Sequence, residues 1–203
     1  SASQELRNVS KILKRYVLSY PDISFYYKSN GKVIYDFKQT NLEGRIIQLF
    51  GSSYKKNILP IDGNKGELEI NGYIGNLNLT KKRRGDQYLF LNGRYIKDGA
   101  ISSAIRNSYY SLVDRGEHPF YVLFLKLPTD IYDINVHPTK IEARFNNQWD
   151  TINFITSIIR ISLKKLFKVI PDISFNTSRE ENNMPLEFIK SLNLDDIASD
   201  SIS

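Results

Sequence analysis

The feature that most constrains the fold is an apolar run over residues 120–127, which only Lys126 interrupts. A short run of this kind is typical of a β-strand that is covered on both faces. Two patterns precede it: a strand pattern over 87–91 and the helical spacing of apolar residues over 99–113. The order strand, helix, strand predicts a βαβ crossover over 87–127. We therefore expect an α/β domain of two layers, a mixed sheet backed by helices.

Further patterns predict the elements around this crossover. Helices show one apolar face and capping residues, and hairpins show turn residues between strand patterns. The predicted helices are one over 4–20, one opened by Thr40 in a capping box and ended by Gly51, one over 99–113 capped by Asp98, and one over 148–168 capped by Asn147. The predicted hairpins are one over 22–37, which turns at Ser29-Asn30-Gly31, and one that turns at Asn92-Gly93. Strands are predicted over 56–61 and 66–79, with a bulge or bend at Gly72 and Gly75.

The charge of the chain is unevenly distributed. Residues 1–170 carry 26 Lys or Arg and 15 Asp or Glu, residues 171–203 carry 2 and 7, and the formal net charge is +6. We interpret 1–170 as a folded domain and 171–203 as an acidic linker or tail, in which 185–197 could form a short helix. A basic domain suggests a polyanionic partner such as nucleic acid, and an ordinary basic soluble domain is the alternative.

The sequence lacks several kinds of site. It has no cysteine, which excludes disulfides and thiolate metal sites. Its two histidines, His118 and His137, do not belong to a cluster with metal-ligand spacing, and no Walker loop or nucleophile elbow occurs. We therefore expect neither a metal site nor a complete active site. No apolar run reaches the roughly 18 residues of a membrane-spanning helix. Because the chain does not begin with methionine, we expect it to be a piece of a longer protein.

Residues 130–145 combine a strand with a rigid corner. Pro138 fixes its own φ and has no backbone N–H, so the strand that precedes it must stop or bulge there. We predict that Asn135, His137 and Pro138 hold this turn. Lys140 follows two residues after the corner and is well placed to reach across a domain boundary. A solvated surface lysine is the alternative interpretation.

Two motifs in this order resemble those of the MutL family of DNA mismatch repair ATPases. The run Asn135-Val136-His137-Pro138-Thr139-Lys140-Ile141-Glu142-Ala143-Arg144-Phe145 is similar to the family signature, with Ala143 where valine is usual. The run 87–98, with Ile105-Arg106 after it, is similar to the family's strand-turn and following helix. The resemblance covers residues 3–168 and matches the second half of the family's ATPase region. The first half, which binds the nucleotide, and the endonuclease domain of some members have no counterpart in the chain.

The resemblance implies a transducer domain and a role for one lysine. The implied fold is the one that gyrase-type ATPases share with a small-subunit ribosomal protein, with a left-handed βαβ crossover. Lys140 would contact the γ-phosphate of an ATP molecule that the N-terminal ATPase domain of the same chain holds. The full-length protein would then hydrolyse ATP with magnesium, whereas this part alone would bind no cofactor and would not be catalytic.

The resemblance also implies partners. Double- or single-stranded DNA would contact basic residues, and the full-length protein would pair with a second copy and with a MutS-type mismatch recognition protein. The implied location is the bacterial cytoplasm, at the nucleoid during repair. The candidate DNA contacts are Lys81, Lys82, Arg83, Arg84, Arg94, Lys97 and Arg106.

Two alternatives to this interpretation stay open. The transducer domain of a type II topoisomerase also presents a lysine to the γ-phosphate, but the run Asn135-Val136-His137-Pro138 argues against it. A non-enzymatic RNA-binding module of the same fold is the alternative from another functional class.

Overall fold

Helices and strands alternate over most of the chain. A computed structural model describes residues 2–110, 112–128, 132–134, 143–145 and 148–167. Two short 3-10 helices, Ser52–Lys56 and Leu77–Leu79, lie between its main elements. These elements are α1 (Ala2–Ser19), β1 (Phe25–Ser29), β2 (Lys32–Phe37), α2 (Leu42–Phe50), β3 (Ile58–Lys65), β4 (Leu68–Gly75), β5 (Thr80–Lys81), β6 (Gln87–Leu91), β7 (Arg94–Ile96), α3 (Gly99–Ser108), β8 (His118–Pro119), β9 (Tyr121–Lys126), β10 (Tyr132–Ile134), β11 (Ala143–Phe145) and α4 (Gln148–Phe167).

A five-stranded mixed sheet in the order β3-β4-β9-β6-β7 is the largest sheet of the described residues. The middle strand, β9, runs antiparallel to β4 and parallel to β6. Because α3 lies between these two parallel strands in the sequence, the predicted βαβ crossover is confirmed, while its left-handedness stays a prediction. Val122 and Leu123, adjacent residues of β9, are both fully buried. Adjacent side chains of a strand lie on opposite faces, so the prediction of a strand covered on both faces is confirmed.

Helices pack on both faces of this sheet. Leu18 of α1 and Ile46 of α2 belong to the same buried cluster as Ile58 of β3. Gly63, also in β3, lies so near α4 that an added Cβ atom would be 2.7 Å from Cδ1 of Ile158. Gly63 is an odd number of positions from Ile58, so it lies on the other face of the sheet. The predicted mixed sheet backed by helices is therefore confirmed.

Both predicted Asn-Gly hairpin turns are present. Asn30 and Gly31 have φ angles of 48° and 77°, and Asn92 and Gly93 have 46° and 79°. Two successive positive φ angles define the type I′ turn, which matches the twist of antiparallel strands. The first turn joins β1 to β2 in a separate two-stranded sheet, and the second joins β6 to β7.

Two predicted helix boundaries are wrong. The cap of α2 is Asn41 and not Thr40, because the Asn41 side-chain oxygen accepts the Gly44 N–H at 2.8 Å. Helix α3 ends at Ser108 and not at 113. At the end of α3 the Tyr109 hydroxyl group lies in the core and donates a hydrogen bond to the Gly75 carbonyl oxygen at 2.8 Å. This tertiary contact anchors the C-terminal end of α3 to β4.

Of the bulge or bend predicted at Gly72 and Gly75, the bulge is absent. Strand pairing is continuous through Gly72, which faces Ile61 of β3 on one side and Leu123 of β9 on the other. The two glycines instead mark close approaches: a Cβ atom at Gly72 would lie 2.1 Å from the Val122 carbonyl oxygen, and one at Gly75 would lie 2.7 Å from a side-chain carbon of Leu79. The strand predicted over 66–79 therefore ends at Gly75 in β4.

The predicted helices over 4–20 and 148–168 are confirmed as α1 and α4. The Asn147 cap and the helix over 185–197 lie outside the described residues. The described residues all belong to one compact unit, Ser1–Val169. The division of the chain into a domain and an acidic tail stays a prediction. Over the described ranges, no helix is both long and apolar enough to cross a membrane.

Candidate nucleic-acid interface

Helix α3 presents a polar side beside one edge of the sheet. Its first turn is fixed by Asp98, whose carboxylate accepts the Ile101 N–H at 2.7 Å. Ile101 and Ile105 are fully buried and hold the opposite side of the helix in the core. Ser102 and Arg106 are only half-buried, so they are accessible from solvent.

The topology of the sheet brings a basic loop to the same place. Strands β6 and β9 are parallel and in register, with Gln87 beside Tyr121. The segments that enter these strands therefore meet at one edge of the sheet. One of them carries the exposed residues Arg83 and Arg84, and the other contains His118.

These segments and α3 enclose a small cleft of about 40 Å³, which we call the two-arginine cleft. It has room for a few water-sized groups and is far smaller than the pocket of a nucleotide-sized ligand. The residues that line it are Arg84, Gln87, Ser102, Ser103, Arg106 and His118. The structure thus brings together Arg84 and Arg106, which lie 22 positions apart in the sequence.

The two-arginine cleft is strongly positive. No carboxylate of the described residues forms an ion pair with Arg84 or Arg106. Burial and the charges of these two arginines lower the pKa of His118 below its usual range near 6.5. Guanidinium groups without acidic partners are well suited to phosphate, which accepts two of their N–H donors at once.

Lys81 is held differently from the rest of the basic run. Its ammonium group forms an ion pair with the carboxylate of Asp86. This hydrogen bond to Asp86 raises the pKa of Lys81, which therefore stays charged while its charge is already compensated. The remaining candidates, Lys82, Arg83, Arg94 and Lys97, are exposed to solvent and do not line the two-arginine cleft.

The candidate nucleotide contact cannot be placed in the same way. Lys140, Asn135, His137 and Pro138 lie outside the described residues. The strands on either side of them are described: β10 and β11 pair antiparallel, with Ile134 opposite Ala143. The roles of the four residues stay predictions.

The sequence did not single out four cleft residues as site residues, Gln87, Ser102, Ser103 and His118. His118 was considered only as a metal ligand, and the described residues contain no group of three or more His, Cys, Asp or Glu that could hold a metal ion. The position of His118 is set by the pairing of β5 with β8, in which His118 lies opposite Lys81. Pairing between two-residue strands leaves no periodic signal in a sequence.

Comparison with known proteins identifies the family of this chain. Residues 46–164 match the family model described as DNA mismatch repair protein, C-terminal domain. The DNA mismatch repair protein MutL of Flavobacterium psychrophilum is 34% identical over 171 residues, which are 84% of this chain and 28% of that protein. MutL of Clostridium acetobutylicum is 34% identical over 174 residues, 83% of this chain and 28% of the relative. The chain thus spans little more than a quarter of the length of these relatives.

Solved structures show the same fold. The N-terminal domain of a DNA repair protein superposes with a TM-score of 0.65 at 16% identity, covering 84% of this chain and 57% of the other. The ATPase domain of the mismatch repair endonuclease MutL of Aquifex aeolicus gives a TM-score of 0.55 at 17% identity, covering 78% and 53%. The family model and the 34% identical relatives together establish that this chain belongs to the MutL family of DNA mismatch repair proteins.

Proposed function

We propose that this chain is the transducer part of a MutL ATPase region, which contacts the DNA backbone and relays the state of bound ATP to repair partners. The observation that carries the proposal is the two-arginine cleft, where two cations from separate segments share one opening without a described acidic partner. An unpaired pair of guanidinium groups favours a polyanion over a neutral or cationic partner.

The proposed DNA contact is to phosphates and not to bases. Lys and Arg side chains fix a protein on the duplex through the backbone, and such binding weakens with salt by about 0.9 log units per phosphate neutralised. We place Arg84 and Arg106 first among the contacts, because they converge on one cleft. Lys82, Arg83, Arg94 and Lys97 would add further contacts along the surface. Lys81 would contribute least, since Asp86 already neutralises it.

Charge reversal tests this contact. Arg106→Glu and Arg84→Glu should each weaken binding of duplex DNA and reduce the slope of log K against log salt by about 1. Lys32→Glu, at an exposed position of β2, is a control that changes the net charge by the same amount at a distant site. Equal affinities for the wild type and the two arginine variants at low salt would count against this face of the molecule.

Lys140 is proposed to complete a nucleotide site that the rest of the full-length protein builds. A compact ammonium group would neutralise charge on the γ-phosphate and would lose this contact after hydrolysis. The loss of a contact present in only one nucleotide state shifts the balance between two arrangements of the protein. We assign ATP and magnesium to the first half of the ATPase region, because the family resemblance implies that the first half binds the nucleotide.

The role of Lys140 can be tested in the full-length protein. Lys140→Ala should lower the rate of ATP turnover while the thermal unfolding temperature stays unchanged. Lys55→Ala, at an exposed position of a 3-10 helix, is the matched control and should leave turnover unaffected. Turnover by Lys140→Ala at the wild-type rate would remove this residue from the mechanism.

The partners of the full-length protein follow from the same proposal. We propose that it acts as a homodimer with a MutS-type mismatch recognition protein, because the chain belongs to a mismatch repair family. Family membership also favours this function over a topoisomerase transducer. The RNA-binding alternative makes a different prediction: structured RNA would compete better than duplex DNA for the chain, whereas the proposed function requires preference for the duplex.

A further inference from the structure

His118 lies where it can respond to an anion in the two-arginine cleft. Its imidazole lines the opening together with Arg84 from the basic loop and Arg106 from α3. It is half-buried, because the short β5–β8 ladder holds its backbone against Lys81. A titratable side chain thus lines the same cleft as two positive charges.

The acidic groups near His118 are engaged elsewhere. Asp86, at the start of β6, forms an ion pair with Lys81, which faces His118 from β5. Glu117, the neighbour on its own segment, accepts the Thr80 hydroxyl at 2.5 Å. The charged groups that face the imidazole and have no such partner are Arg84 and Arg106, so its protonated form is disfavoured while the cleft holds no anion.

We propose that the two-arginine cleft binds one phosphate group of a nucleic-acid backbone and that His118 takes up a proton as this phosphate enters. The inference rests on the proposed function, since it assigns the ligand group and the pH dependence of the same DNA contact. Arg84 and Arg106 supply charged donors, and the protonated imidazole supplies a third. Ser103 and Ser102 add hydroxyl groups, although Ser102 also shares a hydrogen bond with the Tyr121 hydroxyl at 3.1 Å.

The sign of the pH dependence follows from proton linkage. In the free protein the pKa of His118 is lowered by burial and by the two arginines. A phosphate between the arginines cancels part of their field and adds a negative charge beside the imidazole, so the pKa is higher in the complex. Between these two values binding takes up a proton, and affinity must rise as the pH falls. Above the higher value and below the lower one, binding takes up no proton at His118, so affinity should not change with pH through this residue.

The decisive measurement is the affinity of the 203-residue chain for a short duplex, at constant salt, between about pH 5 and about pH 8. The wild type should bind more tightly as the pH falls, by up to about tenfold per pH unit at the steepest point. His118→Gln should remove this slope. Lys32→Gln removes a distant charge and should keep the wild-type slope.

A second measurement does not depend on the variant being folded. The titration of the His118 ring proton signal, followed by NMR in the wild type, should move to higher pH when the duplex is added. An unchanged titration in the presence of saturating duplex would overturn the inference even if DNA binds.

The possible outcomes distinguish the role of His118 from the proposed DNA contact. Failure of the wild type to bind the duplex at every pH would overturn both. Binding with the same pH slope in the wild type and in His118→Gln would leave the DNA contact standing and overturn the role of His118. Inorganic phosphate at the same concentration of phosphate groups should not displace the duplex, because a single ion makes only one contact. Displacement would assign the cleft to the free ion and overturn its assignment to a nucleic-acid backbone.

Discussion

At the scale of single residues, Arg45 shows how one buried cation can hold three segments together. Its side chain is fully buried in α2. One terminal nitrogen donates to the carbonyl oxygens of Pro21 at 2.9 Å, Ile23 at 2.6 Å and Lys38 at 3.3 Å. These carbonyls belong to the turn after α1 and to the end of the β1–β2 hairpin. Arg45 therefore joins the hairpin to α2 through hydrogen bonds from a fully buried side chain.

Truncation of this side chain should be costly. Arg45→Ala leaves three carbonyl groups without their donor, and loss of a hydrogen bond that involves a charged group typically costs about 1.5–3 kcal/mol. We expect a decrease of that order in the free energy of unfolding, measured by urea denaturation. Arg7→Ala, at an exposed position of α1, should change it by less than about 0.5 kcal/mol. A loss below about 1 kcal/mol for Arg45→Ala would show that solvent reaches these carbonyls.

The sequence could predict residues whose partners are local, and it missed those whose partners are distant. The Asn92-Gly93 turn and the Asp98 cap depend on atoms within a few positions, so their chemistry is visible in the residue order. Arg45 bonds to carbonyls 7 to 24 positions away, and His118 finds its neighbours through strand pairing. Neither leaves a local pattern, so the cleft could be predicted only as separate basic residues.

At the scale of secondary structure, the contact between β4 and β9 depends on a glycine. Gly72 has a φ of 132°, and an added Cβ atom would lie 2.1 Å from the backbone oxygen of Val122. Backbone atoms of a central strand cannot move aside without breaking the ladder. The sequence indicated that Gly72 was special, but a glycine in a strand signals a bulge and a close approach equally well.

Gly72→Ala should therefore destabilise the whole sheet. Strained backbone and overpacking together suggest a loss of about 3 kcal/mol in the free energy of unfolding. Gly85→Ala is a suitable control, because Gly85 has no positive φ and an added Cβ atom would meet nothing within 4 Å. Chemical denaturation of the two variants tests the difference. Equal stability of both would mean that β4 and β9 can separate locally at this position without loss elsewhere.

At the scale of the whole molecule, the fold converts a loosely basic sequence into a localised site. Parallel pairing of β6 and β9 places the loop before each strand at one edge of the sheet, and α3 lies between the two strands in the sequence. The crossover thus brings together three segments that are far apart in the sequence: the loop before β6, the segment before β9, and α3. Composition could indicate a polyanionic partner, and the resemblance could name DNA. Only strand topology could show that Arg84 and Arg106 share one cleft.

The uneven charge of the chain should regulate this site over a longer range. Residues 171–203 carry 2 basic and 7 acidic residues, against 26 and 15 in residues 1–170. Acidic groups joined to a basic domain compete with DNA phosphates for the positive charges of that domain. This competition weakens at high salt, because salt screens the attraction between the charges.

Replacing the seven Asp and Glu residues of 171–203 with Asn and Gln should therefore strengthen DNA binding at low salt. We expect a several-fold lower Kd at about 50 mM salt and almost no difference at about 500 mM, where the screening length is only a few ångströms. Exchange of the same number of Ser and Asn residues within 171–203 for one another keeps the charge and should leave binding unchanged. An equal gain at both salt concentrations would contradict an electrostatic cause, because attraction between charges in solvent cannot survive such screening.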